Sequence, residues 1–228
     1  PFADEPNAAL HFYEDLRVSG ADRLAEVVRR AAPDCRIVAQ LETGHMSKAP
    51  SAVSSPFGGE PPVPFTTAEI RAIVDSFVRA ISAARDDGFD GVQLHAAHGG
   101  FLSRFLSPYS NQRTDEYGGS DENRVRFYIE ILRAVREKVG PDFPVIARLS
   151  AEECIKGGFE LEFTKWLAPR LVEAGAVLLA EQSVVARCPA WNSTARAFTP
   201  VALPFFLPRE LSPGSSRSPR PRPTPRGG

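Results

Sequence analysis

Residues Gly88 to Gly119 read GFDGVQLHAAHGGFLSRFLSPYSNQRTDEYGG, and this stretch decides the fold. Its opening, Gly91 to His95, is a short apolar run of strand character, and two histidines, His95 and His98, stand three residues apart at its end. A run this short, bounded by glycines, reads as a buried strand rather than a helix. In a parallel α/β fold the C-terminal ends of the strands are where ligands bind, so a strand that delivers imidazoles there makes an enzyme the first hypothesis.

The elements on either side have matching character. Thr66 and Glu69 form a capping box, in which each side chain satisfies an exposed amide of the other. Ile70, Ile73, Val74, Phe77, Val78 and Ile81 then share one face, which predicts a helix to about Asp87. Gly20 to Ala32 places Leu24, Val27, Val28 and Ala31 at helical spacing, and Pro33-Asp34 stops that helix before the apolar run Arg36 to Leu41. Downstream, Asp121 to Val139 predicts a helix with Val125, Tyr128, Leu132 and Val135 on its face. Pro144 to Leu149 follows as a strand, Glu160 to Ala174 as a helix and Ala176 to Ala180 as a strand. Such alternation means parallel βα units. Glu42 to Phe65, with five prolines and three glycines, is a long connection of the kind that forms lids or binding loops.

Composition narrows the function classes. The chain has 228 residues and a formal charge of -1, which gives no reason to expect nucleic acid as a partner. That charge is unevenly spread, because residues 200–228 hold five arginines against one acidic residue. The same segment has eight prolines and too few apolar residues to fold. The expected organisation is a barrel-type domain over residues 1–199 and a Pro/Arg-rich disordered tail over 200–228. Cys35, Cys154 and Cys188 form no C-x-x-C pair, so a disulfide framework is not expected and a reducing, cytoplasmic setting is. No run of ~18 apolar residues is present to span a bilayer, so no membrane association is expected. The chain opens at Pro1, without an initiating methionine, and reads as processed or as a fragment.

Residues two apart on a strand face the same side. Val38 and Gln40, Gln93 and His95, and Ile146 and Arg148 are such pairs, so three strands each carry a polar or cationic residue near the C-terminal end. One such residue is often a satisfied core group; three at equivalent places form a site. The set is an amide that donates and accepts, a permanent cation and two imidazoles. Gln40 suits the edge of a heterocycle, Arg148 suits negative charge on a ring nitrogen or carbonyl oxygen, and His95 with His98 suits one carbonyl or phenolate oxygen.

The run GFDGVQLHAAHG, then FLSP, NQRTDEYGG and ENR, with ARLS at Ala147 to Ser150, resembles the old yellow enzyme family of FMN-dependent NAD(P)H oxidoreductases. The resemblance is continuous from Thr66 to Ser150 and weaker from Asp22 to Leu41. It implies an eight-stranded parallel TIM barrel and a hydride passed from NADH or NADPH to FMN, then to an activated, enone-like small molecule. It also implies that Gln40 and Arg148 bind the flavin and that His95 and His98 bind the substrate oxygen. Asn111, Arg113, Asp115, Tyr117, Gly118, Gly119 and Arg124 also match and are assigned to structure, as are Phe101, Leu102, Phe105 and Leu106.

Three departures from the family pattern stand out. Gly100 occupies the position of the family's proton-donating tyrosine. From Gln40 the chain reads QLETGHMS, an altered form of the motif that the family carries there, with no role for His45. The chain offers four convincing strands, so the expectation is a partial barrel, lacking the first strands and the last two, that binds FMN poorly or not at all by itself and associates through exposed strand edges. A non-catalytic remnant is the alternative. A metal-dependent barrel hydrolase built on His95 and His98 is a third reading that lacks a convincing third ligand.

Overall fold

Short apolar runs and amphipathic stripes alternate along this chain, and the computed structural model, which describes residues 20–42, 47–56 and 58–182, turns them into strands and helices in the same alternation. In chain order these are α1 (Ala21–Ala31), β1 (Val38–Leu41), β2 (Lys48–Ala49), β3 (Val63–Pro64), α2 (Thr67–Asp86), β4 (Gly91–Ala96), α3 (Phe101–Leu106), α4 (Asp121–Val139), β5 (Val145–Ser150), α5 (Leu161–Glu173) and β6 (Leu178–Gln182). The four longer strands form one sheet in the order β1-β4-β5-β6, with every neighbouring pair parallel. Parallel neighbours need long crossovers. The helices α2, α4 and α5 lie within the three crossovers, so all four C-terminal ends share one edge of the sheet.

The register sets which residues stand side by side. Gln40 stands opposite Gln93, His95 opposite Arg148, and Ser150 opposite Gln182. On the opposite face Val92, Leu94, Ala96, Val145, Ala147 and Leu149 are buried in one apolar core with Ile70, Phe77 and Ile81 of α2 and with Phe127, Ile131 and Leu132 of α4. Burying an aliphatic side chain of this size contributes about 1.5–3 kcal/mol. The other face carries Gln40, Gln93, Ile146 and Arg148, all partly or fully accessible. Helices therefore cover one side of the sheet, and the polar residues line the other.

Thr66 Oγ1 accepts from the Glu69 amide at 3.2 Å and Glu69 Oε2 accepts from the Thr66 amide at 2.8 Å, so the capping box is complete. Helix α4 spans the expected residues, and Val125, Tyr128, Leu132 and Val135 are all buried. Helix α1 departs from its sequence stripe. Leu24 and Val27 are more than half exposed, and the helix packs through Ala21 and Ala25. The reason is close approach: an Arg29 guanidinium nitrogen donates to the Gly88 carbonyl and pairs with Asp90 at 3.4 Å, and a Cβ at Gly88 would stand 3.9 Å from that of Ala25. Small residues must face the contact, so the larger ones turn away.

The connection from Glu42 to Phe65 contains the two-residue strands β2 and β3, paired in parallel. It is fastened to the loop after α3, where the Arg113 guanidinium donates to the carbonyls of Pro50 (2.9 Å) and Phe65 (2.6 Å) and pairs with Asp115. Buried Asn111 donates to the carbonyls of Phe105 and Tyr117, both at 2.7 Å, and Tyr117 donates to Glu130 at 3.0 Å. Gly118 sits so close to Arg113 that a Cβ would fall 2.5 Å from its carbonyl oxygen. Phe101, Leu102, Phe105 and Leu106, all buried, form the face of the short helix α3. No described helix is long and apolar enough to cross a membrane. The expected tail, Cys188 and His45 lie outside the described residues.

Candidate active site

Strand β4 ends at Ala96, and the chain then reverses through His98 (φ 61°) and Gly99 (φ 68°), both left-handed. That conformation is costly for a non-glycine residue and marks a position to examine for function. The His98 amide donates to Ser150 Oγ at the end of β5, 3.1 Å away, which fixes the reversal to the neighbouring strand. Consequently the His98 ring returns over the sheet edge and meets the His95 ring at 5.1 Å between centroids, inclined by 61°.

His95 is buried and His98 exposed. Burial, and secondarily the charge of Arg148, hold the His95 imidazole below its ordinary pKa, so the ring is neutral at neutral pH. Its Nδ1 is buried with no hydrogen-bond partner among the described residues, and its Nε2 points towards Glu42, whose Oε1 is 3.8 Å away. A neutral imidazole beside a carboxylate favours its proton on the nitrogen facing the negative charge, which makes Nε2–H a donor.

Arg148 and Gln40 come together across the intervening strand. Arg148 Nη1 donates to Gln40 Oε1 at 2.6 Å, on the same face as His95. The structure thus brings Gln40, His95, His98 and Arg148 to one strand-end region, and leaves position 100 beside them. A Cβ at Gly100 would stand 3.1 Å from His95 Cδ2 and 2.8 Å from Glu42 Oε1, so this glycine borders the same space.

A cleft of about 600 Å³ opens at His98 and Ser150, beneath the 53–63 segment, with Tyr109 and Glu153 in its wall. Burial pushes the Glu153 carboxyl above its ordinary pKa, opposed by hydrogen bonds from Ser107 and the Phe159 amide. This volume suits a small organic molecule. Among the described residues no group of three or more His, Cys, Asp or Glu is placed to hold a metal ion.

Glu42 beside His95, and Glu153, which lines the cleft with His98, escape a reading that stops at strand ends. Alternation counted on from Gln40 reaches Glu42, so a signal for that carboxylate exists in the sequence. Glu153 lies in an irregular loop and gives none.

Comparison with known proteins agrees with this geometry. Residues 28–194 match the NADH:flavin oxidoreductase / NADH oxidase family. An NADH oxidase of Thermoanaerobacter brockii is 46% identical over 139 residues, covering 61% of this chain and 21% of that protein. An NADPH dehydrogenase of Bacillus velezensis is 36% identical over 191 residues, covering 77% of this chain and 55% of that one. The solved old yellow enzyme homologue from Zymomonas mobilis superposes with a TM-score of 0.61 at 27% identity, over 74% of this chain and 53% of its own. The chain therefore spans between about a fifth and about half the length of these proteins. A parallel sheet with a histidine pair and an Arg–Gln pair at its strand ends, and a family match over most of its length, place this chain in the NADH:flavin oxidoreductase / NADH oxidase family.

Proposed function

We infer that the chain supplies one wall of an FMN and substrate site of the old yellow enzyme type, in a protein that passes hydride from NADH or NADPH by way of FMN to an electron-poor, enone-like alkene. In this reading the four parallel strands are part of an eight-stranded barrel, and residues 1–199 belong to that domain. The observation that carries it is the Arg148–Gln40 hydrogen bond of 2.6 Å on the sheet face that also bears His95.

The donor set fits the cofactor. An amide and a guanidinium side by side match the donors and acceptors of a pyrimidine edge, and Arg148 places a permanent positive charge where negative charge would build. FMN, when bound, supplies the hydride chemistry itself. His95, neutral and with Nε2–H available, and His98, exposed beside it, hold the electron-withdrawing oxygen of the substrate. Polarising that oxygen lowers the barrier at the carbon that accepts hydride. Gly100 brings no proton to the neighbouring carbon.

Flavin titration tests the reading. The chain is expected to bind FMN weakly, and Arg148→Ala should weaken binding by a further tenfold or so, the worth of a charge-assisted hydrogen bond. Equal FMN fluorescence quenching by wild type and Arg148→Ala, up to millimolar protein, would sink it.

A further inference from the structure

We propose that Glu42 is a general base that removes, and returns, a proton on the carbon next to a carbonyl whose oxygen His95 and His98 hold, so that this chain enolises small ketones. The inference rests on the oxygen-binding role of the histidine pair given above and needs nothing from the flavin.

The geometry supplies the two halves of such a site. Glu42 Oε1 and His95 Nε2 are 3.8 Å apart, too far for a hydrogen bond, so an acceptor and a donor stand side by side and each can take a ligand atom lying alongside the pair. A carbonyl oxygen at about 2.9 Å from Nε2 carries its α carbon two bonds away, within reach of the carboxylate. Gly100 keeps the approach clear, since a Cβ there would stand 2.8 Å from Glu42 Oε1 and 3.1 Å from His95 Cδ2. The Glu42 side chain is 42% exposed, so a proton it takes can exchange with solvent. A carboxylate accepts but does not donate, so beside two imidazoles it can serve the carbon acid and not the oxygen. Arg148, paired in register with His95, adds positive charge behind the oxygen site.

The step balances without a redox partner. The Glu42 carboxylate takes the α proton, the C–H bond breaks and an O–H bond forms. The C–H electron pair becomes a carbon–carbon double bond, and the carbonyl π pair moves onto the oxygen, where the histidine N–H groups stabilise it. Return of the proton to the same carbon exchanges it with solvent; return to another carbon of an unsaturated ketone moves the double bond.

The test uses the 228-residue chain without flavin, cyclopentanone in D2O, and NMR to follow loss of the α-proton signal against a blank with the same concentration of acetate. Wild type should exceed the blank, and Glu42→Gln should lose about 100-fold or more of the excess with an unchanged circular dichroism spectrum. His98→Ala should lose roughly tenfold, as one of two oxygen donors. Exchange by Glu42→Gln at the wild-type rate, or by wild type at the blank rate, overturns the proposal. Loss in Glu42→Gln with no change in His98→Ala and His95→Gln upholds the base and removes the histidine pair as oxygen ligands, which is the failure of the underlying site reading and not of this one.

Discussion

At the scale of single residues, His95 concentrates most of the physics of the site. It is a buried imidazole whose Nδ1 has no partner among the described residues, with a carboxylate at 3.8 Å and a guanidinium paired in register with it, and burial wins, holding its pKa below the ordinary 6.5. The unfolded chain therefore takes up this proton first on acidification. The stability His95 contributes is complete above about pH 6.5 and declines as the pH falls below it. Denaturant midpoints measured between pH 7.5 and 5 should drop for wild type and show a shallower decline for His95→Gln. Parallel curves would show that the ring is not held neutral. Gln40, His95 and Arg148 were legible in the sequence from strand alternation, because a two-residue period needs no tertiary information, and His98 from its place three residues after His95. The reversal that swings His98 back over His95 was not, since left-handed backbone at a histidine is imposed by the contact with Ser150.

At the scale of elements, helix α2 shows how a local signal and a long-range contact combine. Its Thr66–Glu69 capping box is readable from four residues, whereas Lys48 of β2 arrives at Glu69 only through folding of the connection. Hydrogen bonds from Lys48, first, and from the Thr66 amide hold the Glu69 carboxyl down at about 2, from an ordinary 4.5. A depressed carboxyl contributes stability that is present above pH 4.5 and is lost as the pH falls towards 2. Glu69→Gln should flatten the fall in stability over that interval while leaving the His95 interval intact, and acid unfolding followed by circular dichroism separates the two. Strands β2 and β3 have no sequence signature, because a two-residue strand exists by virtue of what it pairs with. The exposed Leu24 and Val27 of α1 make the same point in reverse: their periodicity predicts a helix correctly, but which stripe faces inward is decided by how closely Gly88 and Arg29 approach.

At the scale of the whole molecule, the sheet divides its labour by face, with an apolar core under the helices and polar groups on the other side. Parallel order and the C-terminal location of the site follow from alternating strands and helices, so both are readable in advance. Strand register is less so, since a one-residue slip would turn every side chain over, and it is the register that sets His95 against Arg148. The Arg148–Gln40 bond has a mechanical consequence. It straps the four-residue strand β1 to β5 over the top of β4, so β1 is secured partly by the two side chains proposed above to hold a flavin. Occupancy of the polar face should then be audible in the backbone: amide hydrogen exchange of residues 39–41 should speed up in Arg148→Ala. A heterocycle that takes up Arg148 and Gln40 without bridging them should speed the same exchange in the wild type, which turns β1 into a built-in gauge of whether the strap is intact.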